Sequence, residues 1–200
     1  MIQHYSLFYS YKTLGDIFIV IIDNSKPMTH KERKGKVDVI YNEDEIIGYN
    51  ILNVSEVIKI KTKGQIFLPS SPLIKVINTI LKNSGVEELD EINESGYVVG
   101  KVMEMKLDDN KYLLKVDIGN EVINVLTKSD NIQINDCVVV AKVNTMLNSG
   151  ETVKESEYKG LAIRGKVCSE KQLQISDSDL ALVFKEDAKV GTDFFREEKE

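Results

Sequence analysis

Most of the chain sets apolar against polar residues at the two-residue period of strands, and one stretch carries the period of a helix. SLFYSY (6–11) and DIFIVIID (16–23) flank a KTLG turn and predict a hairpin. KVDVIYN (36–42) and EIIGYNIL (45–52) flank Glu43-Asp44 and predict a second pair, and EVIKIKT (56–62) alternates as a further strand. In SSPLIKVINTILKNSG (70–85), Leu73, Val76, Ile77, Ile80 and Leu81 fall on one helical face. Ser71 can cap that helix, Pro72 suits its first position and Gly85 stops it. The helix is expected to pack on the sheet.

Beyond the helix the pattern is almost wholly strand-like. YVVGKVMEM (97–105), KYLLKVDIG (111–119) and EVINVLT (121–127) come first, with Gly119-Asn120 suited to a tight two-residue hairpin. DCVVVAKV (136–143), GLAIRGKVCS (160–169) and DLALVF (179–184) supply further strands. Short strands with little helix signal fit a small closed barrel such as an OB-fold. The acidic, turn-rich EELDEINESG (87–96) separates the halves. The expected architecture is therefore an α+β N-terminal domain, a small α/β unit over 1–93, followed by an all-β OB-fold barrel over 97–200.

Charge narrows the picture. The chain carries 26 Lys+Arg against 32 Asp+Glu, a formal charge of −6. Residues 1–96 hold 11 bases against 13 acids and residues 97–200 hold 15 against 19. Neither half can coat nucleic acid by bulk electrostatics, so any RNA contact must come from a local basic cluster. The basic run THKERKGK (29–36) reads as a solvated loop rather than a nucleic-acid arm. No apolar window is long enough to span a bilayer, and MIQHYSLFYSYK lacks the features of a secretory signal. The expectation is a cytoplasmic protein with no membrane contact, its Cys137 and Cys168 kept as thiols.

Catalytic chemistry finds little footing. His4 and His30 both lie in the first half, far in sequence from either cysteine. No CxxC spacing points to zinc, and neither GxxxxGK[ST] nor GxGxxG occurs. Acidic residues are plentiful, many of them in loops or in the C-terminal FFREEKE (194–200). We expect no enzyme and no cofactor. GLAIRGKVCSEKQL (160–173) offers something else: Arg164, Lys166 and Lys171 near Ser169, with Lys159 just upstream. If 162–168 is a strand, Arg164 and Lys166 share one face while Ile163 and Val167 turn toward the core. Cys168 shares the parity of the basic pair, yet a strand end or bulge would let it turn inward as a small hydrophobe.

YVVGKV (97–102), KVDIG (115–119), CVVVAKV (137–143), MLNSG (146–150), YKG (158–160) and GKVCSEKQL (165–173) occur in the order of one family. They resemble the tRNA-binding domain found at the start of the phenylalanyl-tRNA synthetase beta chain, at the end of many methionyl-tRNA synthetases, and in free-standing bacterial proteins. The whole chain resembles the YtpR-like tRNA-binding proteins, which set a small α/β domain ahead of an OB-fold. VCSEKQL is similar to the family's Cys-Ser-x-x-Glu-Leu segment, with Gln172 in place of the final Glu. The chain departs from the pattern at KLDDNKY (106–112), at TKSDN (127–131) and at Lys166-Val167.

The resemblance implies Asn131, Gly165, Ser169 and Glu170 at the nucleic-acid face. The local charge pattern adds Lys142, Lys159, Arg164, Lys166 and Lys171 as phosphate or base-stacking partners. Lys111 and Lys128 could replace what the altered loops lack, and Tyr112 or Tyr158 could supply a stacking platform worth ~1–3 kcal/mol per base. The expected function is non-catalytic binding of tRNA or another structured RNA. The alternative is a protein–protein interaction module that keeps the barrel and has lost RNA binding. A homodimer is compatible with the resemblance, since relatives of the barrel pair through strand edges or C-terminal extensions.

Overall fold

Alternation in the first half is realised as a sheet. The computed structural model describes residues 1, 4–184 and 188–196, and the chain divides into two units, Met1–Asn93 and Glu94–Glu200. The end of the FFREEKE run, 197–200, lies outside the described residues. Among the described residues no helix is long and apolar enough to cross a membrane. The protein is mostly β, with two sheets and few helices.

Unit 1 contains β1 (Ser6–Tyr9), the one-turn α1 (Tyr11–Leu14), β2 (Ile17–Ile21), β3 (His30–Lys34), β4 (Val37–Asn42), β5 (Glu45–Leu52), β6 (Gly64–Ile66) and α2 (Ser71–Asn83). The strands form one sheet in the order β3-β4-β5-β2-β1-β6, every neighbouring pair antiparallel. Strands do not alternate with helices, so this is an antiparallel sheet carrying one long helix rather than an α/β unit. Leu7, Tyr9, Phe18 and Val20 bury with Ile74, Ile77 and Leu81 of α2 in one core.

Three details differ from the pattern-based reading. THKERKGK is an edge strand, β3, which turns through Gly35 (φ +58°) into β4. Its charges suit an edge, where they discourage further strand pairing. Lys31 and Arg33 both hold Asp38 of the neighbouring strand, which is buried; the guanidinium keeps that carboxyl below the usual carboxylate range. EVIKIKT lies outside the ladder, although Ile58 and Ile60 still pack on the core. Helix α2 is preceded by Ser70 rather than Ser71 as N-cap, and Ile74 is buried where Val76 was expected. Gly85 (φ +67°) ends it, with Val86 N–H donating back to Leu81 O at 3.1 Å.

Unit 2 contains β7 (Tyr97–Asp108), β8 (Lys111–Asp117), β9 (Val122–Thr127), β10 (Cys137–Lys142), β11 (Ser156–Tyr158), β12 (Leu161–Ile163), β13 (Gly165–Val167) and β14 (Val183–Phe184). Its ladder runs β11-β12-β9-β8-β7-β10-β13, with β14 added on β10. This is an open order, not the closed ring expected. The segment 161–167 nevertheless reaches both sides of it: β12 lies parallel to β9 through Ile163–Asn124, and β13 antiparallel to β10. Only Arg164 separates the two pieces. The β8–β9 turn falls at Gly119-Asn120, with Gly119 at φ +93°. KLDDNKY is a hairpin tip, Asp109 and Asn110 both having positive φ between β7 and β8.

Val98, Val102, Leu114, Val116, Val138 and Val140 form the heart of the unit 2 core. Strand β10 is buried on both faces over Cys137–Ala141. The segment 191–194 bonds along the start of β7, which β8 does not reach (Val99 N–H to Thr192 O, 3.0 Å; Phe194 N–H to Tyr97 O, 2.9 Å). Asp193 anchors it by accepting from the backbone N–H and hydroxyl of Ser95.

Candidate nucleic-acid interface

Strand parity sets the orientation of the basic pair. Ile163, Gly165 and Val167 are buried, while Arg164 is exposed and Lys166 half-buried. Arg164 N–H donates to Asn124 O at 3.0 Å and Asn124 Nδ2 donates to Ala162 O at 3.2 Å, which fixes the backbone beneath the guanidinium. Cys168 sits past the end of β13 and turns inward to full burial. Burial pushes its thiol up to about 12, which disfavours the thiolate at neutral pH.

Each of the five proposed phosphate-binding cations faces a carboxylate. Arg164 Nε lies 3.4 Å from Glu155 and Nη1 3.8 Å from Glu121. Lys166 reaches Glu151 at 2.9 Å, Lys142 reaches Glu94 at 3.1 Å and Lys171 reaches Asp179 at 3.6 Å. Lys159 bridges Asp108 at 2.8 Å and Asp109 at 3.2 Å, tying the β11–β12 turn to the β7–β8 hairpin tip. Its ammonium holds the Asp108 carboxyl below the usual range, and Tyr158 also donates its hydroxyl there at 3.3 Å. Exposed pairs of this kind are screened by water and stabilise little. They do cancel the local positive field.

The cations are not one patch. Lys142 stands opposite Gly165 in the β10–β13 register, and Lys166 opposite Ala141. Lys142 therefore shares the parity of inward-facing Val140 and leaves from the strand end, whereas Arg164 and Lys166 share the outer face. Lys111 and Lys128 have no ion pair among the described residues, and Tyr112 packs on the core.

The residues named by resemblance hold backbone in place. Asn131 Nδ2 donates to Ala181 O at 2.9 Å. Gly165 leaves no room for a side chain: an added Cβ would stand 2.8 Å from Val140 Cγ1 and 3.1 Å from Ile123 Cδ1. Ser169 and Gln172 form a reciprocal capping box, Ser169 N–H donating to Gln172 Oε1 (3.0 Å) and Gln172 N–H to Ser169 Oγ (3.2 Å). Glu170 accepts from the Ser176 hydroxyl at 2.6 Å. The acids that neutralise the basic face escaped the sequence reading. Their signal was the run ETVKESE (151–157), which contributes Glu151 and Glu155.

A family model described as a domain of unknown function (DUF4479) matches residues 24–91. The chain is 32% identical over 178 residues to the Putative tRNA-binding protein YtpR of Bacillus subtilis (strain 168), covering 86% of this chain and 88% of that protein. It is 24% identical over 185 residues to the Uncharacterized protein MG449 of Mycoplasma genitalium, covering 89% and 81%. The Phenylalanine--tRNA ligase beta subunit of Fusobacterium nucleatum is 31% identical over 102 residues, 48% of this chain and 13% of the ligase subunit.

Proposed function

Because the chain belongs to the family of the Bacillus subtilis Putative tRNA-binding protein YtpR, we propose that it binds tRNA or another structured RNA, without catalysis of its own. Unit 2 is the binding module, read as an OB-fold in the cytoplasm. The pairings of β7 with β8, β8 with β9, β9 with β12, β13 with β10 and β10 with β7 support that reading.

The observation that carries the proposal is the outward Arg164–Lys166 pair, mounted on a segment that joins β9 to β10. Phosphates replace Glu155 and Glu151 on these two cations when RNA docks. The exchange costs little, because the pairs are solvent-exposed, but the released carboxylates repel the incoming backbone. Binding is accordingly of modest strength and selective for RNA whose shape places phosphates there, the 2′-hydroxyls adding contacts.

Gel-shift titration of total tRNA against the full chain tests this. Arg164→Glu with Lys166→Glu is expected to weaken binding about tenfold or more, and Glu151→Gln with Glu155→Gln to strengthen it. Indifference to both pairs of substitutions would overturn the site. The excess of acids over bases in unit 2 favours a second reading, a protein-interaction module that has lost RNA binding. A partner complex that survives nuclease would support that reading, and one that dissolves would oppose it.

A further inference from the structure

In this acidic protein, residues 57–86 contain no Asp or Glu and five lysines: Lys59, Lys61, Lys63, Lys75 and Lys82. The first three stand on alternate residues of VIKIKTK (57–63). Ile58 and Ile60 pack toward the core, which turns the flanking Lys59 and Lys61 outward, and Lys59, Lys61 and Lys63 are all exposed. None of the three has an ion-pair partner among the described residues, in contrast to Arg164, Lys166 and the other paired cations of unit 2.

Alternate residues of an extended chain lie roughly 6.5–7 Å apart. That spacing is comparable to the step between successive phosphates of a nucleic-acid strand. The end of unit 1 that presents this row is also well braced. Asp16 accepts from the backbone N–H of Ser55 (3.0 Å) and from its hydroxyl (2.6 Å), and takes a further bond from Tyr9 (3.1 Å). The β1–β6 register sets Tyr9 opposite Gly64, directly after Lys63. Helix α1 therefore starts beside the lysine row, bringing exposed Lys12 and Tyr11, the latter 61% exposed. An exposed aromatic beside a cationic row is the pairing used by surfaces that stack bases while gripping a backbone.

We propose that unit 1 is a second RNA-contacting module, in which Lys59, Lys61 and Lys63 grip a phosphate backbone and Tyr11 offers a stacking face. The proposal rests on the RNA-binding reading for its natural partner but adds a row of unpaired positive charge in the other half of the chain. Each lysine meets one phosphate as a point charge, without reading sequence. Since these cations need not release a carboxylate first, each adds a salt-dependent phosphate contact without the competition that Arg164 and Lys166 face.

The test uses the full chain and two probes, total tRNA and a single-stranded oligouridylate. Variants are Lys59→Gln/Lys61→Gln/Lys63→Gln, the same positions changed to Arg, and Arg164→Glu/Lys166→Glu, with melting curves to check folding. The Gln variant is expected to lose about tenfold or more in oligouridylate affinity and to flatten the log affinity–log salt slope by about 2. The Arg variant is expected to bind as the native chain does. Binding of either probe that is unchanged in the Gln variant would overturn the lysine row while leaving RNA binding intact. Oligouridylate binding lost in the Gln variant, with no tRNA binding by the native chain, would keep the row and refute the tRNA reading. Failure of the native chain to bind either probe would overturn both.

Discussion

At Gly165 a hydrogen occupies the space where β13 crosses close to Val140 and Ile123. The tight site lies on the buried side of the strand, opposite Lys142, so an added methyl group would push core side chains apart rather than meet RNA. Gly165→Ala should therefore lower stability by about 1–3 kcal/mol, measured by thermal or denaturant unfolding, with RNA affinity of the folded fraction unchanged. A fully stable variant would show that the strand has slack there. Cys168 makes the same point in different chemistry. Its place beside a basic pair suggests reactivity, yet complete burial suppresses the thiolate.

Among the elements, the turn after β13 owes its shape to the Ser169–Gln172 capping box. Gln172→Ala is expected to cost about 0.5–1 kcal/mol, and Gln172→Glu to be tolerated, since a carboxylate accepts the same N–H. Hydrogen exchange over 169–175 would register the loss locally, and identical protection in Gln172→Ala would contradict the assignment. The elements also show what pattern can and cannot reveal. The strand pattern marked β1, β2, β4, β5 and β7 to β10, most plainly where one face alone is buried, as in β1, β2 and β9; it gave no sign of β11 and ran β12 and β13 together as one strand. It misplaced EVIKIKT, where Ile58 and Ile60 bury without a ladder partner, since alternation reports burial and not pairing. It passed over β3, whose five residues HKERK bury little and carry only the signature of a charged edge. For α2 the helix was legible and its burial face was slightly off, because Ile74 packs in place of Val76.

Across the whole molecule, the candidate site was legible in part. Outward projection of Arg164 and Lys166 follows from strand parity alone. Their neutralisation by Glu155, Glu121 and Glu151 does not, because those partners come from other connections and meet them only in the fold. The contrast between the paired Lys142, Lys159, Arg164, Lys166 and Lys171 of unit 2 and the unpaired lysine row of unit 1 is likewise a property of the folded surface. It predicts an RNA affinity that is modest, steeply dependent on salt and divided between the two halves of the chain. The most direct test is a fluorescence-anisotropy titration of labelled tRNA with the full chain at about 50 and 200 mM salt. Saturable binding at the lower salt that weakens about tenfold or more at the higher is the predicted result. Absence of binding at low salt, or an affinity indifferent to salt, would contradict it.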